Sequence, residues 1–359
     1  MLILRSCMIR STTTVSTATA APQKPPTRGH YVGLIRANIP ICHEHYRLTL
    51  QVPEFPPSEP GQFVQLLCAP SLDPDPAVSG ERYNPTQISK QAEFEWPIIG
   101  RPLKFHDEYL LANRPYLRRP FSIAQRRDLP ASDTAPAIAE IDIIHRVIGK
   151  GTRELESLEP GESISLLGPL GRGFALPQAL THAVLVGGGV GIPPMLYLAE
   201  KLAHQNIASV AFVGAQRRNL LPLALQANSQ PSPVGTPNLC CTEFARCNIA
   251  AAITTDDGSL GMRGFVTAAL DLYLAAAAPT ARAGTVVFCC GPTPMMKATA
   301  GVAQRHHVPC MVSLEQPMAC GMGTCQSCVI KYKPAGAADW VYKLTCTDGP
   351  VFNASDIIW

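Results

Sequence analysis

From Tyr31 to Leu67 apolar and polar residues alternate with a period of two, through Tyr31-Val32-Gly33-Leu34-Ile35, Tyr46-Arg47-Leu48-Thr49-Leu50-Gln51-Val52 and Gln62-Phe63-Val64-Gln65-Leu66-Leu67. That period puts successive side chains on opposite faces of a strand, and Pro60-Gly61 punctuates the last two runs. No helical period intervenes, which predicts antiparallel strands of a small barrel. Residues 69–117 break the rhythm, with Pro and Asp clustered at 70–76 and aromatics scattered at Phe94, Trp96, Phe105 and Tyr109. This stretch reads as a long insertion, a solvated excursion in preference to a cofactor lid or a partner contact. The barrel resumes in Arg118-Arg119-Pro120-Phe121-Ser122-Ile123 and in a strand from Ala139 to Ile148, and the loop Gly168 to Phe174 closes it.

Beyond that loop the pattern changes. His182 to Val186 is an apolar run suited to a buried strand, Gly187-Gly188-Gly189-Val190-Gly191 a tight turn, and Ile192 to Leu202 a helix. Pro193 and Pro194 fall in its first turn, where a missing N–H costs nothing. Further strands are expected at Val210–Gly214, Ala250–Thr255 and Thr285–Cys290, with an Ala/Leu-rich helix from Val266 to Ala278. Alternating strands and helices make a parallel α/β layer, whose ligands bind at the strands' carboxyl ends.

With 359 residues the chain has room for two or three domains, and its 46% hydrophobic and 16% charged residues are ordinary for a water-soluble protein. The net charge of +3 is uninformative, and no basic run interleaved with aromatics suggests nucleic acid. Gly173 to Ala199 contains no Asp, Glu, Lys or Arg, yet its glycines and prolines interrupt any apolar run of about 18 residues, so no membrane span is expected. Residues 1–28 carry Arg5, Arg10, Lys24 and Arg28, and no acid precedes Glu44. Their composition resembles a transit peptide, though a disordered tail or an over-long start with Met8 as an internal one is the favoured reading. Of 13 cysteines, nine lie outside the group described next and follow no spacing rule, as expected of reduced thiols in a cytoplasmic protein.

That group is Cys320, Cys325 and Cys328, answered after 17 intervening residues by Cys346. C-x4-C-x2-C…C is the plant-type ferredoxin spacing, in which each iron of a [2Fe–2S] cluster takes two protein sulfurs. Gly321 and Gly323 allow the loop to curl, and a following hairpin would return the fourth thiol. Structural zinc usually shows two C-x2-C pairs, and only Cys325 and Cys328 form one here. Disulfide frameworks suit small secreted domains. The spacing therefore favours the cluster. Two further motifs fit phosphates. Gly149-Lys150-Gly151-Thr152 opens a short helix after a strand, which taken alone is as often structural as functional. Gly187, Gly188, Gly189 and Gly191 lie between strand and helix, as at a dinucleotide pyrophosphate site, though not in G-x-G-x-x-G form. After Gly214 no acid is available for a ribose hydroxyl, and Arg217 and Arg218 leave NAD against NADP open.

The order of these motifs resembles the ferredoxin–NADP reductase superfamily, and more closely the electron-transfer subunits of NAD-dependent (class 1B) dihydroorotate dehydrogenases, the PyrK type. Thr255-Asp256-Asp257-Gly258-Ser259, Gly264-Phe265-Val266-Thr267, Ser313-Leu314-Glu315 and Cys346-Thr347-Asp348-Gly349-Pro350-Val351-Phe352 add to the resemblance, which covers about residues 30–68 and 118–359. It implies a multidomain β-barrel plus α/β fold: an FAD-binding antiparallel barrel at 29–175, a parallel α/β NAD-binding domain at 176–312 and a [2Fe–2S] domain at 313–359. It implies that Arg119 meets FAD phosphate, with Pro120 and Phe121 between it and Ser122, which sits beside the flavin ring. Gly149, Lys150, Gly151 and Thr152 would hold the FAD pyrophosphate and His145 would join them. Gly187 to Gly191 would hold that of NAD(H), while Cys290, Gly291 and Pro292 flank nicotinamide and flavin. Cys320, Cys325, Cys328 and Cys346 carry over as cluster ligands. The implied partner is the FMN-containing dihydroorotate dehydrogenase catalytic subunit, in a heterotetramer of pyrimidine biosynthesis. A reductase subunit of a ferredoxin:NADP, hydrogenase-like or oxygenase complex would share the cofactors, and a non-catalytic zinc module is the alternative of another class. The chain departs from the family pattern at 69–117, in the long Cys/Pro-rich segment 225–249, and at Gln316-Pro317, where an Arg is usual nearby.

Overall fold

The computed structural model describes residues 28–70, 115, 117–131 and 136–359. The expected tail, but for Arg28, and nearly all of the insertion at 69–117 lie outside the described residues. Strands β1 (Gly29–Cys42), β2 (His45–Pro53), β3 (Phe63–Pro70), β4 (Arg119–Ser122), β5 (Gln125–Leu129) and β6 (Ile138–Arg146) precede a short helix, α1 (Lys150–Glu156), and β7 (Ser163–Leu170). They make one seven-stranded sheet in the order β4-β3-β7-β1-β2-β6-β5. Every pairing is antiparallel. The sheet curves into a half-barrel with β4 and β5 as its edges. The alternation explains its interior: Leu48, Leu50 and Val52 of β2 meet Val64, Leu66, Ile141, Ile143, Ile164 and Leu166, with Leu155 of α1 as the plug. Fully burying each such side chain contributes about 1.5–3 kcal/mol.

Two of these strands were not expected. β5 reads Gln-Arg-Arg-Asp-Leu and lies at an edge, where charged side chains remain solvated. β7 lies in the middle of the sheet between β3 and β1, so it is buried on both faces and loses the alternation that marks a half-buried strand. The loop expected at Gly168–Phe174 is therefore strand as far as Leu170.

The second sheet contains β8 (His182–Gly188), β9 (Ala208–Ala215), β10 (Ala250–Thr255), β11 (Met262–Arg263), β12 (Thr285–Cys290) and β13 (Cys310–Ser313), interleaved with helices α2 (Ile192–His204), α3 (Val266–Ala276) and α4 (Thr293–Arg305). All six strands are parallel. Leu185, Ala211, Ile253 and Phe288 face α2, whereas Val184, Val186, Phe212 and Val287 face α3 and α4. Covering both faces is why these strands read as continuous apolar runs. The 225–249 segment packs on the α2 side, where Cys240, Cys241 and Phe244 are fully buried.

The hairpin of β14 (Val329–Tyr332) and β15 (Val341–Leu344) stands apart. After it the chain returns, and β16 (Val351–Asn353) adds to β13 as the antiparallel edge of the α/β sheet. The expected boundary at 312/313 thus has a strand of the α/β sheet on its far side. Among the described residues no helix is long and apolar enough to cross a membrane.

Candidate functional site

At the carboxyl edge of the parallel sheet, β8 and β12 are neighbours with Gly187 opposite Cys290. The register brings the glycine turn and the Cys290-Gly291-Pro292 segment together. Gly189 has φ +54, a conformation that glycine adopts without strain. Gly191 is required by contact, since a Cβ there would lie 2.2 Å from the Cys290 carbonyl oxygen. Gly191 also caps α2, and Pro193 and Pro194 fall in the first turn as the sequence predicts. Burial pushes the Cys290 thiol up to about 12, opposed by a hydrogen bond with Ser313, while the Glu315 charge pushes the same way. In the sequence Glu315 stands out only as part of a motif, because its approach to Cys290 depends on β13 lying beside β12.

The end of β9 holds a further arrangement that local sequence does not display. The Asp256 N–H donates to the Ala215 carbonyl at 3.1 Å, and Asp257 N–H to that of Gln216 at 3.3 Å. Ser259 Oγ accepts the Arg218 N–H at 2.8 Å. The carboxylates missing after Gly214 are thus delivered by the loop after β10, beside Arg217 and Arg218. The Ser259 hydroxyl and N–H, followed by weaker contributions that include Arg217, hold the Asp257 carboxyl below its usual range.

On the half-barrel, β3 and β4 pair Leu66 with Arg119, Gln65 with Pro120, Val64 with Phe121 and Phe63 with Ser122. The two adjacent arginines differ in their surroundings. Arg118 is half-buried and donates to the Ser165 carbonyl at 2.9 Å and to Ser165 Oγ at 2.7 Å, which ties β4 to β7. Arg119 is exposed, and its Nη1 reaches the carbonyls of Leu117 and Arg118 at 2.8 and 3.3 Å. Its aliphatic stem approaches Gly151, where an added Cβ would lie 3.6 Å from Arg119 Cγ. The Thr152 hydroxyl accepts the N–H groups of Ile148 at 3.0 Å and Gly149 at 3.2 Å, bending the chain into α1 from an extended Gly149. Lys150 opens that helix. Arg119 and the Gly149–Thr152 turn therefore share one surface.

Behind that surface lies His145. Its ring stacks on Tyr46 at 5.9 Å and meets Phe121 edge-on at 6.1 Å. It is buried, and neither ring nitrogen finds a partner among the described residues. Burial pushes its pKa down to about 4, so the ring is neutral and keeps unused hydrogen-bonding capacity beside Phe121.

The cysteine loop follows β13 and packs on the outer face of the half-barrel. Cys328 and Cys346 form an apolar cluster with Phe63 of β3 and Leu170 of β7. Gly171 and Arg172 then clasp the returning segment, and Arg172 N–H donates to the Gly349 carbonyl at 2.6 Å. The four thiols lie close together: Cys325 interacts with Ser327 and Cys320, and Cys346 with Cys328 and Cys320. Backbone N–H groups point at the sulfurs: Met322 and Cys325 donate to Cys320 Sγ at 3.5 and 3.3 Å, and Cys346 to Cys328 Sγ at 3.4 Å. Cys325 is exposed, whereas Cys328 and Cys346 are buried. Among the described residues no three His, Cys, Asp or Glu side chains converge on a single ion position. Four thiols gathered in this way, with backbone N–H groups aimed at them, suit a two-iron cluster that takes two sulfurs for each iron.

Residues 315–358 match the family model described as the iron–sulfur cluster binding domain of dihydroorotate dehydrogenase B. The electron transfer subunit of dihydroorotate dehydrogenase B (NAD+) from Desulforamulus reducens is 32% identical over 271 residues, which is 74% of this chain and 91% of that one. The chain belongs to this family of electron transfer subunits. The family's Geobacillus sp. member is 35% identical over 246 residues, covering 68% of this chain and 81% of its own. Among solved structures, NADH-dependent reduced ferredoxin-NADP oxidoreductase superposes with a TM-score of 0.61 at 22% identity, covering 91% of this chain and 90% of that one. That likeness establishes a ferredoxin–NADP reductase-like fold for this electron transfer subunit.

Proposed function

We propose that the chain relays electrons between NAD(H) and an FMN-containing dihydroorotate dehydrogenase catalytic subunit in a cytoplasmic heterotetramer of pyrimidine biosynthesis. In this reading residues 29–175 bind FAD, 176–312 bind NAD(H) and 313–359 hold a [2Fe–2S] cluster. The observation that carries it is the gathering of Cys320, Cys325, Cys328 and Cys346 against β3, with backbone N–H groups donated to Cys320 Sγ and Cys328 Sγ.

The residues present also fit the other two groups. The exposed Arg119 guanidinium beside Gly151 suits an FAD phosphate, with Gly149 to Thr152 offering the start of α1. Pro120, Phe121 and Ser122 continue the same strand toward the flavin ring, and the unpartnered nitrogens of His145 supply polar contacts behind Phe121. Gly187, Gly188, Gly189 and Gly191 suit the NAD(H) pyrophosphate, with Cys290, Gly291 and Pro292 beside them for nicotinamide. When bound, the flavin and the cluster supply the exchange between two-electron hydride transfer with NAD(H) and single-electron transfer. The chain's own residues position those groups, keep water from the Cys328 and Cys346 side, and aim N–H dipoles at the thiolates.

Met322 in the cysteine loop is exposed, and so are Trp340, Val341 and Tyr342 on the β14–β15 hairpin that follows it. Aromatic and Met side chains of that kind anchor protein interfaces, which suits a partner that contacts this C-terminal region. The test is co-expression with the dihydroorotate-oxidising FMN subunit from the same source, followed by anaerobic dihydroorotate-dependent NAD+ reduction. Activity that requires both chains is expected. A protein that binds FAD and cluster and is bleached by NADH, yet stays inactive with that subunit, would overturn the assigned partner.

A further inference from the structure

Gln65 is fully buried in the middle of β3, and neither Nε2 nor Oε1 of its carboxamide has a hydrogen-bond partner among the described residues. Its neighbour Gln62 shows what satisfaction looks like: Gln62 Nε2 donates to the Gly171 carbonyl at 2.8 Å, and Oε1 accepts the Glu59 N–H at 2.8 Å. Leaving a buried amide unpaired forfeits the hydrogen bonds it makes to water in the unfolded chain, so a leucine would be the better choice for packing alone. Gln65 also sits where two cofactor regions meet. On one side it pairs with Pro120 of the flavin strand β4, and on the other with Leu167 of β7. Above it is the cysteine loop: a Cβ on Gly321 would lie 2.6 Å from the carboxamide carbon of Gln65 and 2.7 Å from its Nε2. Gly321 follows Cys320, whose thiol already accepts the N–H groups of Met322 and Cys325. Phe63, two residues back and on the same face, packs against Cys328 and Cys346. The unpaired amide is thus packed against the cysteine loop, next to the residue that follows Cys320.

We propose that Gln65 is a positioning residue for electron transfer, whose carboxamide N–H donates to sulfur of the cluster held by the cysteine loop. A donated hydrogen bond stabilises the reduced, more negative cluster and so raises its reduction potential. The inference rests on the cluster reading above. It also accounts for glycine at 321, because any side chain there would displace the amide from the loop.

The test compares wild-type holoprotein with Gln65→Leu and Gln65→Glu in anaerobic redox titrations, following the cluster by paramagnetic resonance and the flavin by absorbance. Gln65→Leu is expected to lower the cluster potential and alter its g-values while the flavin content stays at wild-type level. Gln65→Glu, with no amide donor and an added negative charge, lowers the potential further. A cluster potential and spectrum unchanged in Gln65→Leu would overturn the proposal. Should Gln65→Leu not load a cluster, Gln65→Glu decides, and a wild-type potential there overturns it too. Loss of cluster, flavin and thermal stability together in both variants would make Gln65 a residue of the fold only, which also overturns it. A wild-type protein without any reduced-cluster signal would sink the cluster reading itself, an outcome distinct from unchanged potentials in a loaded protein.

Discussion

Replacing Gly191 by Ala adds one methyl group at the junction of the glycine turn with the end of β12. The new Cβ would lie 2.2 Å from the Cys290 carbonyl oxygen, 2.3 Å from its carbon and 2.4 Å from Gly291 N. All three are backbone atoms, fixed by the pairing of Cys290 with Gly187 on one side and Ser313 on the other, so no rotamer change relieves the contact. The two segments must part by roughly 1 Å, and overpacking of that kind costs about 1–3 kcal/mol. Backbone strain adds nothing, because Gly191 has φ −85. A thermal melt should show Tm lowered by about 5 °C. The functional effect should be larger, since a misplacement of about 1 Å between reacting groups lowers a rate by roughly 10²-fold. The assay is stopped-flow bleaching of the flavin by NADH under anaerobic conditions, with FAD and iron content as controls. A variant with wild-type bleaching rate and Tm would refute both the required contact and the placing of NAD(H) at this edge.

Cys325→Ser should abolish the paramagnetic signal of the reduced cluster while NADH still bleaches the flavin, and an unchanged signal would remove Cys325 from the ligand set. Arg119→Ala should lower FAD content with little effect on Tm, whereas Arg118→Ala, which strips two hydrogen bonds from Ser165, should destabilise the half-barrel by about 1–3 kcal/mol at unchanged FAD affinity. His145 predicts an acid limb. Its pKa falls from 6.5 to about 4 on folding, so between those values the unfolded chain binds the extra proton and stability declines as pH drops. The loss approaches about 3 kcal/mol at pH 4 and is absent above about pH 7, and denaturant titrations of His145→Phe should lack that limb.

Much of the architecture follows from local pattern. The alternation in β1 to β3 and the apolar runs of β8, β10 and β12 mark their strands, because a half-buried strand must alternate and a doubly covered one must not. The C-x4-C-x2-C…C spacing and the two glycine turns are equally local, since ligand geometry and close backbone approach impose residue types directly on neighbouring positions. What the tertiary structure alone decided concerns residues distant along the chain. It separated Arg118, tied to Ser165, from the exposed Arg119, although both read as basic residues of one strand. It delivered Asp257 to the end of β9 and Glu315 toward Cys290 through the strand order of the sheet. It also placed Gln65, one position in an ordinary alternating strand, beneath Gly321 across more than two hundred residues of chain. Alternation can say which face of a strand is covered, but only the packed fold says what covers it.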